Sequence, residues 1–112
     1  MPRINKNTPW GMADTMHKEA EGIIFYGTPS HGGYWLSPER RLQINYSDNW
    51  LSTSEWWEED CDWAVPFWFF RNDIKKGFVA ENTIERYEKN LVASVNTIKV
   101  HHPEFAKREG LI

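Results

Sequence analysis

The stretch GIIFYGTPSHGGYWLS, residues 22–37, decides how the rest of the chain is read. Ile23 to Tyr26 and Tyr34 to Leu36 are β-branched and aromatic, the side chains that fit a pleated, half-buried surface. Pro29, Ser30, His31, Gly32 and Gly33 interrupt them, and each is a residue type that breaks regular structure for its own reason. The pattern predicts a β-hairpin with a loop longer than the two-residue minimum, in which Gly32 or Gly33 supplies a positive φ. Such a loop presents His31 at its tip.

Working outward, Ser37 reads as an N-cap, Pro38 as the first helical residue and Glu39 as a first-turn acid, so a short helix follows the hairpin. On the other side, 14–21 reads as a short helix capped by Asp14, and 1–12 as an irregular arm anchored by Trp10. Downstream, Ser52 and Glu55 fit a capping box that opens a helix over 54–68. Trp57, Cys61, Ala64 and Trp68 share one face of it, and Pro66 kinks it or ends it early. RNDIKKG, 71–77, reads as a hydrophilic turn. The segment 81–100 gives the clearest helix, with Ile84, Tyr87, Leu91, Val95 and Ile98 at three- or four-residue spacing. Pro103 then leaves a short turn or tail. The resulting expectation is a single α+β domain spanning 1–112, with a short antiparallel sheet and two main helices packed on it.

Composition narrows the function classes. The chain has 112 residues and a formal net charge of -3, so it lacks the excess of Lys and Arg that phosphate binding uses; nucleic acid is disfavoured. Glu55, Glu58, Glu59, Asp60 and Asp62 concentrate negative charge, which favours a partner with a basic surface. No signal-peptide pattern and no membrane-spanning apolar run is visible, and the lone Cys61 suits a reducing compartment, so a cytoplasmic protein is expected. Seven Trp, six Phe and four Tyr exceed what a small core needs, so some rings should form a contact surface or a homodimer interface.

Three chemistries compete for the polar residues. Cys61 with His31 and either Asp60 or Asp62 supplies the residue types of a thiol nucleophile, its base and an orienting acid. However, an acidic neighbourhood raises a thiol pKa, and a thiol on an apolar face is ordinarily structural. His31, Asp60, His101 and His102 include metal-ligating types but no helical ligand spacing, so no metal and no cofactor is assigned. The Gly-Gly turn leads into a strand and lacks a P-loop ending, which disfavours phosphate. Binding remains the best use of the residues, with Ser30, His31, Tyr34, Trp56, Glu58, Glu59 and Asp62 as the contact set. Within it His31 is expected to tie the hairpin to Asp60 or Glu59.

TPSHGG (Thr28 to Gly33), with Leu36 to Arg40 behind it, and EEDCDWA (Glu58 to Ala64) together resemble an uncharacterised family of small domains from bacteriophages and bacterial plasmids. The resemblance covers the middle of the chain, and Pro66 departs from the family's more regular helix. It implies an accessory protein of a mobile element; joined to the binding role read from the residues, the expectation is a protein that binds a host protein and inhibits a defence or regulatory system. The alternative is a small cysteine-histidine hydrolase or transferase.

Overall fold

A computed structural model describes residues 4–47 and 54–112. The fold is α+β, and the chain divides into two compact units, 1–59 and 60–112. No helix among the described residues is long and apolar enough to cross a membrane.

The first unit is built on the hairpin. Strands β1 (Asn7–Thr8) and β2 (Gly11–Met12) form a small antiparallel pair. Strands β3 (Thr15–Ala20), β4 (Ile23–Gly27), β5 (Gly32–Leu36) and β6 (Trp56–Glu58) form a four-stranded antiparallel sheet in the order β3-β4-β5-β6. Strands β4 and β5 form the expected hairpin, in a register that runs from Ile23 opposite Leu36 to Gly27 opposite Gly32. Across it the rings of Phe25 and Tyr34 meet edge to face at 5.6 Å.

Gly32 and Gly33 serve a different purpose from the one anticipated. Neither has a positive φ; both are strand residues. A Cβ on Gly32 would come within 2.9 Å of the Tyr26 carbonyl oxygen, and one on Gly33 would collide with the Trp57 carbonyl and the Trp10 ring. These glycines give neighbouring chain room to approach. The positive φ sits instead at Gly22, at +79°, where the chain turns from β3 into β4. That turn explains why 14–21 is a strand and not the expected helix. A hairpin return pairs Thr15 with Gly27 and Met16 with Tyr26, and pairing outweighs local helix preference.

Ser37 caps α1 (Pro38–Ile44) as expected, its Oγ accepting from the Arg40 backbone N–H at 3.3 Å. The helix ends at Asn45, which takes the left-handed conformation at φ 46° and donates its N–H to the Arg41 carbonyl. Ser52, half of the expected capping box, lies outside the described residues. The helix expected over 54–68 is absent from its first half. Residues 56–58 are β6, with Trp57 opposite Tyr34 and Trp56 opposite Trp35, and Trp57 is fully buried.

The second unit is helical: α2 (Ala64–Phe69), α3 (Arg71–Ala80), α4 (Ile84–His101) and α5 (Pro103–Arg108). Pro66 neither kinks nor ends a helix. It lies in the first turn of α2, where backbone N–H groups have no intrahelical acceptor to lose. Helix α4 matches the expected apolar stripe, with Tyr87 and Ile98 buried, and it packs on α2, α3 and α5. The rings of Phe67, Phe78 and Tyr87 meet at 5.8–6.4 Å. Residues 71–77, expected as a turn, are helical because Ile74 is buried and Phe78, one turn on, joins that ring cluster. Pro103, expected to open a tail, occupies the N-terminal turn of α5, whose Phe105 is fully buried.

Candidate functional site

The loop between β4 and β5 is organised by Thr28. Its hydroxyl donates to the His31 carbonyl at 2.7 Å and accepts the backbone N–H groups of Ser30 and His31 at 3.3 and 3.1 Å. The Thr28 N–H also donates to the His31 carbonyl, at 2.7 Å. With its backbone satisfied internally, the loop presents the side chains of Ser30 and His31 to solvent.

Strand β6 brings acids to that loop. Gly33 is opposite Glu58, and the Glu59 N–H continues the ladder by donating to the Gly32 carbonyl at 2.9 Å. His31 Nδ1 therefore lies 4.0 Å from Glu59 Oε1, and donor atoms of His31 and Glu58 come within 4.8 Å of each other. Glu59, one of the two acids expected as its partner, thus lies beside His31. Both His31 and Glu59 stay largely in water, with side chains 52% and 41% exposed, so their attraction is weak and screened.

The remaining members of the contact set are placed differently. Tyr34 and Trp56 are buried in the sheet, and Asp62 is buried in the second unit. Burial pushes the Tyr34 phenol well above its ordinary range, with the charge of Glu19 adding to the shift. A partner meeting the first unit from solvent reaches Ser30, His31 and Glu59 before any of these.

Sequence reasoning missed a second imidazole-carboxylate contact. His102 Nε2 lies 2.9 Å from Asp62 Oδ1, within ion-pair distance but not aligned as a hydrogen bond, and both side chains are about nine-tenths buried or more. His102 links α4 to α5: its N–H donates to the Ile98 carbonyl and its carbonyl accepts from the Ala106 N–H. Pro103 holds it out of helical geometry, at φ -134° and ψ 58°. His101, one residue earlier, is exposed. The two adjacent histidines thus divide into one exposed and one internal. The proline directly after His102 was the available signal, since it marks a corner; nothing local points to Asp62.

Cys61 and Asp62 belong to the second unit, His31 to the first. Inside the second unit the imidazole at Asp62 is that of His102, and it is 3% exposed. A base so enclosed is poorly reached by a substrate.

No curated protein and no solved structure matches the chain. One family model does, a domain of unknown function, DUF7007, and it matches residues 3–109. With nearly its whole length inside that match, the chain belongs to the DUF7007 family.

Proposed function

We propose that the chain is a binding protein, an accessory factor of phage or plasmid type, that engages a basic surface of a host protein through the loop at His31 and the acids at the end of β6, Glu58 and Glu59. The observation that carries this reading is the exposure of Ser30, His31 and Glu59 on a loop whose backbone hydrogen bonds are already made. A preorganised loop loses little entropy when a partner docks. Exposed carboxylates speed encounter with a cationic partner and repel anionic ones. Inhibition of a host defence or regulatory system follows as the biological role on the strength of the family resemblance.

The test begins with capture of a partner from host lysate and its identification by mass spectrometry. Binding of the purified partner is then measured for the parent chain, for the double variant Glu58→Lys/Glu59→Lys and for Cys61→Ser. Charge reversal should weaken binding at least about tenfold, mostly through the association rate, with an effect that shrinks as salt rises. Cys61→Ser should bind normally. Unchanged affinity in a folded double variant removes the acidic loop from the interface. A biological activity that vanishes in folded Cys61→Ser points instead to the thiol enzyme.

A further inference from the structure

In the first unit, the ammonium of Lys6 lies among three aromatic rings. Its Nζ is 5.2 Å from the ring centroid of Trp35, 5.8 Å from that of Trp56 and 5.9 Å from that of Tyr26. All three distances are within the reach at which a ring's negative face attracts a cation. Lys6 has no carboxylate partner among the described residues. The contrast with Arg41 is instructive: it approaches the same Trp35 ring at 5.8 Å, but its guanidinium also lies 3.7 Å from Glu55 and donates to the Leu36 carbonyl. For Lys6 the rings supply the attraction.

The rings are set by the sheet and not by the lysine. Tyr26 lies on β4, Trp35 on β5 and Trp56 on β6, and strand pairing sets Trp35 opposite Trp56. Tyr26 and Trp56 rest at 5.8 Å, and Trp10 stands edge-on to Trp56 at 5.8 Å in the room that Gly33 leaves. The Trp10 indole N–H is itself buried with no hydrogen-bond acceptor among the described residues, an unfinished feature for a core. Lys6, in contrast, comes from the arm. Its carbonyl accepts from the Ala13 N–H at 3.0 Å, and the hairpin beyond it has strands of only two residues each. The rings are therefore more firmly fixed than the cation among them.

We propose that Tyr26, Trp35 and Trp56 form a recognition cage for a trimethylammonium group, which this chain fills with its own Lys6 until such a ligand displaces it. An unmethylated ammonium is strongly hydrated and gives up water at a cost. A methylated one keeps the charge, sheds water more readily and covers more ring area, so it is the better occupant of the same three faces. The group is the head of trimethyllysine and of choline alike.

The experiment titrates the full chain and its Lys6→Ala variant with tetramethylammonium, following tryptophan fluorescence and calorimetry. The uncharged isostere 3,3-dimethylbutan-1-ol is the control, and choline and free trimethyllysine are titrated in parallel to distinguish the two sources. Emptying the cage should strengthen tetramethylammonium binding about tenfold over the parent chain, and choline should exceed its neutral isostere by a similar factor. Whichever of choline and trimethyllysine binds more tightly identifies the source. Three results would each overturn the proposal in folded Lys6→Ala: no binding, equal binding of cation and isostere, or affinity equal to that of the parent. Should Lys6→Ala lose its fold, Lys6→Gln retains most of the aliphatic stem without the charge and is held to the same criteria.

Discussion

His31 and His102 each face a carboxylate, and the two halves of the molecule use that contact in opposite ways. In the first unit His31 stands 4.0 Å from Glu59 in water, on a loop that Thr28 already holds. In the second, His102 stands 2.9 Å from Asp62 out of water, at the corner joining two helices. In water, charge is screened and the side chains keep their freedom, so the contact adds little to stability but remains available to a partner. Inside the protein, each polar group depends on the other because neither has bulk solvent to fall back on. The same pair of residue types is thus a point of contact in one place and a fastening in the other.

The largest expected effect breaks the fastening. Asp62→Ala removes the carboxylate from His102 Nε2 and should cost about 3 kcal/mol in urea-denaturation stability. Asp62→Asn, which keeps an acceptor of similar shape, should lose less. If Asp62→Ala is no more destabilising than His31→Ala, the distinction between the two histidines fails.

Legibility from sequence followed the same division between local and distant causes. The β4-β5 hairpin, the Ser37 cap of α1 and the stripe of α4 were readable because each signal lies within its own segment. Strand β6 was not, because Trp57, Cys61, Ala64 and Trp68 satisfy helical spacing while Trp57 is in fact buried by pairing opposite Tyr34. Asn72, Asp73 and Gly77 disguised α3 as a turn, yet the burial of Ile74 depends on packing that no window of the chain records. Of the candidate site, the loop at His31 was legible as a shaped turn, and Glu59 was named among its acidic partners. The Asp62-His102 contact and the rings around Lys6 were not, since each joins residues far apart in sequence.

An intermediate effect separates the units by pH. Burial raises the phenols of Tyr34 and Tyr87, Tyr34 the more, with Arg71 opposing the shift at Tyr87. A phenol raised in the folded state contributes fully below its unfolded value near 10.0 and loses that contribution as pH climbs toward the folded value. The fold should therefore weaken above about pH 10 by an amount that Tyr34→Phe reduces, as seen in urea midpoints taken across the alkaline range. An unchanged alkaline slope in Tyr34→Phe would transfer the sensitivity to Tyr87 and the helical unit.

The smallest effect concerns the exposed pair itself. A double-mutant cycle with His31→Ala and Glu59→Ala should give a coupling below about 0.5 kcal/mol at physiological salt, because both side chains are mostly solvated and neither makes the hydrogen bonds that hold the loop. Thr28→Val is the informative companion, since it removes the hydroxyl that His31 and Ser30 N–H groups rely on while leaving both side chains in place. It should destabilise more than either member of the pair, by about 1 kcal/mol. A coupling larger than the Thr28→Val loss would mean that His31 and Glu59 close the loop themselves. Their chemistry would then be used up inside the fold, and the His31 loop would be a poor candidate for meeting a partner.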